Sequence, residues 1–296
     1  MKEKLLLIMN PVSGKLKGIS HRESIVSLLS EKYDVTLMLT AKKGDGTLLA
    51  REHMNGFDAV AACGGDGTLN EVMTALLELP EEKRIPMLCI PAGTTNLLGD
   101  TIGLSKDVTE TSKRMITAQP RTFDMGFFND SCFCSVVSFG AFTDTSYATP
   151  QKLKNALGYG AYVVGGVRSL FHLHNYPMTF KTDRETFEDR FIFGSVSNCR
   201  AVGGVIKFDD NVVDTSDGLY ELVLVRKIHN PANLYRVAKA IMSKNYDECN
   251  EIIYRKINAV EITCPSPMPW TIDGEYKGDF QNVSVKVSEH ALKLVY

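Results

Sequence analysis

Little in this sequence is extreme, and each missing feature removes a class of function. Lys and Arg number 33 against 35 Asp and Glu, a formal net charge of −2. A polyanion-binding surface needs a basic excess, so nucleic acid is not an expected partner. Long apolar runs are missing too, and nothing approaches the ~18 residues of a membrane span. The opening MKEKLLLIMN is apolar only as far as Asn10-Pro11, too short a run for a signal peptide. The seven cysteines (63, 89, 132, 134, 199, 249 and 264) are scattered and contain no CxxC pair. Cys132 and Cys134 share a strand face at most, which does not make a zinc site. Reduced cytosolic thiols, mostly in the core, are the expectation. The phosphate-loop spacing GxxxxGK[ST] is also absent.

What remains is the composition of an ordinary globular protein, 44% hydrophobic and 23% charged over 296 residues. That length suits two domains. The first ~125 residues alternate short apolar runs with amphipathic segments. KLLLIM (4–9), DVTLMLT (34–40), DAVAAC (58–63) and PMLCI (86–90) read as strands. Helices are expected from Ser20, as a cap with Glu23 in the capping-box position, to Tyr33, then over 46–54, 68–79 and 107–118. Such alternation predicts a parallel sheet covered by helices, with ligands bound beyond the C-terminal strand ends.

The unusual loops fall at that edge: NPVSGK (10–15), TAKKGDG (40–46), GGDGTLN (64–70) and PAGTTN (91–96) all follow strands. Glycines allow a backbone to approach a phosphate closely, and the helix starting near Thr68 would turn its first amides toward an anion. Asp66, between the glycines, has the wrong sign for a bare phosphate cradle. A cation bridging carboxylate and phosphate would remove the conflict. A tight turn with an aspartate cap is the simpler reading of the same residues.

After Arg121 the rhythm becomes β-rich. Runs at 131–139, 178–181, 191–197, 219–225, 259–263 and 283–287 are separated by turn signals. The expected architecture is an α/β N-terminal domain over 1–123 with a parallel sheet. A β-rich, antiparallel, sandwich-like domain over 124–296 follows, and its last strand could return to the first. One helical insert is expected at 151–173, with Lys152, Lys154 and Arg168 beside aromatics. It would be a buried helix or the border of a lipid entrance at a membrane surface.

The motifs NPVSG, GGDGTLNEV, PAGTTN and DGE (Asp273–Glu275) stand in the order and spacing of the diacylglycerol kinase catalytic-domain superfamily. The chain resembles its soluble bacterial lipid-kinase branch, which is related to sphingosine and ceramide kinases. The stretch 139–162 is similar to that branch as well, so the resemblance spans nearly the whole chain. It implies an NAD-kinase/diacylglycerol-kinase-like nucleotide domain and a β-rich lipid-substrate domain, with ATP in the cleft between them.

By motif match, Asn10, Pro11, Val12, Ser13, Gly14, Thr40, Gly64, Gly65, Asp66, Gly67, Thr68, Leu69, Asn70 and Thr94 would line the nucleotide site. Lys15 is either a phosphate contact or a solvated lysine. VVDTSDGLYEL (212–222) matches a loop that holds a structural Mg²⁺ through Asp214, Asp217 and Leu219, with an acidic β-turn as the alternative. In WTIDGEYKG (270–278), Asp273 or Glu275 would be the base that takes the proton of the acceptor hydroxyl. A DG hairpin turn also explains Asp273 and Gly274.

The implied activity is an ATP- and Mg²⁺-dependent kinase of a hydroxyl of diacylglycerol or a related lipid. It would be cytoplasmic, transiently at the inner face of the membrane, and a homodimer is compatible with exposed strand edges. One departure stands out. The bacterial relatives commonly read GTxNDFAR where this chain reads GTTNLLGD, so Leu97 replaces an aspartate. Ser135 stands where many relatives have asparagine. Two other readings follow: an NAD-kinase-like enzyme of a soluble substrate, and a nucleotide-binding regulatory protein with weakened catalysis.

Overall fold

The structure, a computed structural model, describes residues 2–14, 21–141, 174–209 and 212–296. The cap expected at Ser20, Lys15 and the insert expected at 151–173 lie outside these residues. Among those described, the first elements are β1 (Glu3–Met9), α1 (Arg22–Leu29), β2 (Tyr33–Leu39), α2 (Asp45–His53), β3 (Ala59–Gly64) and α3 (Asp66–Leu77). Next come β4 (Met87–Pro91), α4 (Leu97–Thr101), α5 (Val108–Thr117) and β5 (Pro120–Phe128). Short β6 (Ser131–Phe133) and β7 (Val136–Gly140) lead to β8 (Tyr176–Lys181) and β9 (Thr186–Ser197). The remainder is β10 (Ala201–Val202), β11 (Ile206–Lys207), β12 (Tyr220–Arg226), α6 (Pro231–Ser243), β13 (Ile252–Ile257), β14 (Ala259–Ile272) and β15 (Glu275–Val295).

The chain forms two compact units. The first comprises Met1–Met125, Thr215–Gly218 and Ser288–Tyr296; the second comprises Gly126–Asp214 and Leu219–Val287. In the first unit, the end of β15 pairs with β4, β4 with β3, β3 with β1 and β1 with β2, all in parallel. Leu5–Met9, Val60–Cys63 and Met87–Ile90 have no exposed surface at all. Strands buried on both faces read as unbroken apolar runs, which is why the sequence shows no alternation there. Helix α2 packs with α3, and α1 with α5. Asp107 caps α5 by accepting from the amides of Thr109 and Glu110.

Helix α1 is shorter than the 20–33 expected. Its cap position is His21, which makes no side-chain cap bond. At its end the amides of Glu31 and Lys32 turn back to Leu28 and Leu29, and Tyr33 is drawn into β2 opposite Glu3. Tyr33 is buried as a strand residue, and that burial outweighs the helical periodicity of the preceding run.

In the second unit the pairings among β7, β8, β9, β12, β13, β14 and β15 are antiparallel. The order is β13–β12–β9–β7–β14–β15, and β8 pairs with both β14 and β9. One face of these strands carries the core: Val137, Phe139, Val196, Leu222, Leu224 and Trp270 are all buried together. The Trp270 ring lies 5.0 Å from that of Phe139 and 5.4 Å from that of Phe128. The run expected as one strand over 131–139 is broken between β6 and β7 at Cys134-Ser135, for a reason found in the candidate site below.

Helix α6 does not appear among the sequence expectations, although Asn230 caps it and Pro231 occupies its first turn. It is fastened by a buried carboxylate. Glu251, 6% exposed, accepts hydrogen bonds from the Asn233 side-chain Nδ2 and from the Arg236 guanidinium, whose Nε lies 3.1 Å away. The Arg236 guanidinium, more than any other neighbour, lowers the Glu251 carboxyl from its ordinary 4.5 to about 2. A carboxylate with a lowered folded pKa stabilises above its unfolded value, and that contribution fades as pH falls toward the folded one. Glu251→Gln should therefore cost about 1.5–3 kcal/mol near neutral pH, the range for hydrogen bonds to a charged group. In urea unfolding, the gap between wild type and variant should hold from about pH 6 to about pH 5 and narrow from there down to about pH 3. A gap independent of pH would contradict the assignment.

Candidate active-site loops

The four glycine-containing loops leave adjacent parallel strands of the first unit and bond to one another. The Asn10 amide donates to the Cys63 carbonyl at 2.9 Å, that of Thr40 to Met9 at 3.0 Å, and that of Ala92 to Gly64 at 2.7 Å. Side chains add to this. Asn10 Nδ2 donates to Thr68 Oγ1 at 3.3 Å, and Ser13 Oγ accepts from the Gly65 amide at 3.3 Å. Gly65 and Gly93 touch backbone to backbone: a Cβ on Gly93 would stand 2.6 Å from Gly65 Cα. Only glycine fits there, so the sequence GGDG and the sequence AGTT need each other.

The expected nucleotide-lining residues thus lie on one connected set of loops, with differing access. Val12 is 70% exposed and Thr94 is exposed, whereas Thr40 and Thr68 are buried. Leu69 is fully buried and its amide bonds to the Gly65 carbonyl, so it acts as a core residue of α3. One residue absent from the expectations joins the set. Glu71 accepts from the amides of Gly44 at 2.8 Å and Gly46 at 3.0 Å, tying the TAKKGDG loop to α3. Gly44 caps α2 at φ +89°, a backbone that favours glycine.

Asp66 opens α3, and its carboxylate reaches across to the next loop. Oδ2 accepts from the Leu97 amide at 3.0 Å and Oδ1 from the Leu98 amide at 3.1 Å. These are the first two amides of α4, and the preceding Asn96 sits at φ +53°. Asp66 therefore serves as a cap supplied from a distant part of the chain. Burial raises its pKa, the Leu97 and Leu98 amides oppose that, and the Asp100 charge adds to the rise. The position read as a lost aspartate, Leu97, contributes its backbone to this contact.

A second buried carboxylate, Asp124, is also absent from the expectations. It has no exposed surface, and it accepts from the Gly218 amide and the His290 amide, each at 2.7 Å. Its own amide donates to the Thr215 carbonyl, and His290 Nε2 lies 3.0 Å from the Ser216 carbonyl oxygen. The segment 215–218, which contains the expected metal ligand Asp217, is thereby held by two separate parts of the first unit, at Asp124 and at His290. Burial raises the Asp124 pKa and the two amides oppose it, while the Asp217 charge pushes it further up. Asp217 is half-buried and Asp214 exposed. Among the described residues, no group of three or more His, Cys, Asp or Glu side chains could hold a metal ion. The donors here are one carboxylate, Asp217, with backbone carbonyls beside it. These are hard oxygens that suit a hydrated Mg²⁺.

In the second unit the DGE motif is a hairpin between β14 and β15. Asp273 sits at φ +49° and Gly274 at φ +84°. The Asp273 carboxylate accepts three amides, those of Ser135 and Val136 at 2.9 Å and of Cys134 at 3.3 Å. The Asp273 amide returns to the Val136 carbonyl at 2.7 Å. This exchange is what parts β6 from β7. A carboxylate holding three amides is a backbone anchor. Glu275, two residues on, is exposed at the start of β15.

Comparison with known proteins agrees with this set of motifs. The sequence model for the diacylglycerol kinase catalytic domain matches residues 4–128. A diacylglycerol kinase of Bacillus subtilis (strain 168) is 30% identical over 289 residues, covering 96% of this chain and 93% of that protein. A diacylglycerol kinase of Staphylococcus aureus (strain JH9) is 28% identical over 294 residues, covering 98% and 91%. The crystal structure of a diacylglycerol kinase from Bacillus anthracis str. Sterne superposes with a TM-score of 0.79 at 23% identity, over 99% of this chain and 97% of that one.

Proposed function

The chain belongs to the diacylglycerol kinase family, a family of lipid kinases, and on that premise we propose that it transfers the γ-phosphoryl group of ATP to a hydroxyl of diacylglycerol or a closely related lipid. The observation that carries the reading is the mutual bonding of four strand-end loops around Asp66. Phosphoryl transfer depends mainly on positioning and on stabilising charge, and a set of loops that fix one another supplies the positioning.

In this reading the first unit binds nucleotide. Exposed backbone around Val12, Gly93 and Thr94 and the hydroxyl of Ser13 would face the phosphates. Mg²⁺, when bound, would neutralise charge on the phosphoryl oxygens. Asp217 with the Asp214 and Leu219 carbonyls would hold a structural ion. The second unit would receive the lipid. Glu275 would accept the proton of the attacking hydroxyl, and Asp273 would hold the hairpin that carries it. This choice between the two carboxylates rests on the three amides that Asp273 already serves.

The test is a transfer assay with γ-labelled ATP, MgCl₂ and a panel of acceptors: diacylglycerol, ceramide, sphingosine and NAD. Label in diacylglycerol or another lipid supports the proposal. Label in NAD alone would establish the soluble-substrate alternative. ATP-dependent thermal stabilisation with no transfer to any acceptor would establish the regulatory one.

A further inference from the structure

Six large hydrophobic side chains are exposed among the described residues, and two of them, Tyr235 at 70% and Met242 at 66%, lie on α6. Seven residues apart, they fall on the same side of the helix, with Lys239 between them. The opposite side is spent on the fold through Leu234, Val237 and Ala240, which are buried, and through the Asn233 and Arg236 bonds to Glu251. Among the described residues, the outward stripe is thus not used for packing within the chain.

Charge gives this stripe a direction. From Arg226 to Tyr246 there are five Lys or Arg (226, 227, 236, 239 and 244) and no Asp or Glu, in a protein whose net charge is −2. Some of these cations are engaged: Arg226 pairs with Asp189, Arg236 with Glu251 and Lys244 with Asp209. Lys239 is exposed in the middle of the stripe. The next acidic residues, Asp247 and Glu248, come after the left-handed turn at Lys244 that ends the helix. Exposed tyrosine and methionine flanking a lysine suit the boundary between headgroups and acyl chains. There the ring and thioether can sink while the ammonium stays at the phosphates.

No described helix is long and apolar enough to cross a membrane. An enzyme whose acceptor resides in a bilayer must then meet it at the surface. We propose that the Tyr235–Lys239–Met242 face of α6 docks on an anionic lipid bilayer. This rests on the lipid-kinase reading for its purpose but not for its test.

The test is co-sedimentation of the full chain, without ATP or diacylglycerol, with phosphatidylcholine vesicles containing or lacking phosphatidylglycerol. Wild type should sediment with the anionic vesicles and much less with the neutral ones. Lys239→Glu should weaken anionic-vesicle binding roughly five-fold or more, since each basic residue near such a surface contributes about 1 kcal/mol. Tyr235→Ser with Met242→Ser should weaken it further. The same variants should retain wild-type transfer to a short-chain diacylglycerol dispersed below its micelle concentration, which separates docking from catalysis. Absence of transfer by every form would overturn the kinase reading and leave the vesicle result standing. The docking proposal is overturned if wild type ignores anionic vesicles or if the variants bind them equally. It is also overturned if the substitutions convert a wild-type dimer to monomer, which would make the stripe an interface between copies.

Discussion

Glu275→Gln should leave the melting temperature of the protein unchanged and lower phosphoryl transfer by about 10²- to 10⁴-fold, the usual worth of a general base. Asp273→Ala should do something different. It leaves the amides of Cys134, Ser135 and Val136 without their acceptor, and Ser135 is fully buried. Each lost bond to a charged group costs about 1.5–3 kcal/mol, so a destabilisation of roughly 3 kcal/mol or more is expected, with activity lost alongside. Asp273→Asn keeps one carbonyl oxygen as an acceptor and should fall between. Thermal unfolding and label transfer on the same preparations separate the two carboxylates. A stable, inactive Asp273→Ala beside an active Glu275→Gln would reverse the assignment.

Asp66→Ala should abolish the stabilisation of the protein by ATP, while its own loss of stability stays near about 1–2 kcal/mol, the cost of removing a helix cap. The carboxylate joins α3 to α4 through the Leu97 and Leu98 amides, bonds that add to the Ala92–Gly64 backbone bond in holding the PAGTTN loop against GGDG. Without them the loop loses its fixed place, and a site that works by positioning loses its function before its fold. The measurement is the shift in melting temperature on adding ATP and MgCl₂ to wild type and variant. An undiminished shift in Asp66→Ala would show that nucleotide binding does not depend on this contact.

The sequence was informative where local chemistry decides the structure. The apolar runs of β1, β3 and β4 stand out in the sequence because Leu5–Met9, Val60–Cys63 and Met87–Ile90 are buried on both faces. The loops after them were visible because close backbone approach, as between Gly65 and Gly93, demands glycine. Helix α6 carries signals of its own, Asn230-Pro231 at its start and then Leu234, Val237 and Ala240 at helical spacing, but they are set among β-rich runs that mask them.

Other features depend on partners far along the chain. The break at Cys134-Ser135 is set by a carboxylate 138 residues from Ser135. Asp124 looks like any aspartate in a strand, because its partners Gly218 and His290 stand 94 and 166 residues away. Asp66 in GGDG was readable as a residue of interest. Its engagement with two backbone amides was not, because Leu97 and Leu98 advertise nothing about their N–H groups.

The most direct test of the central claim is to identify the phosphorylated product itself. The full chain would be incubated with ATP, MgCl₂ and dispersed diacylglycerol, with NAD present in the same tube as a competing acceptor, and the products resolved by mass spectrometry. The account predicts phosphatidate from wild type, about 10²- to 10⁴-fold less from Glu275→Gln, and NAD unchanged. Phosphorylated NAD without phosphatidate would contradict it.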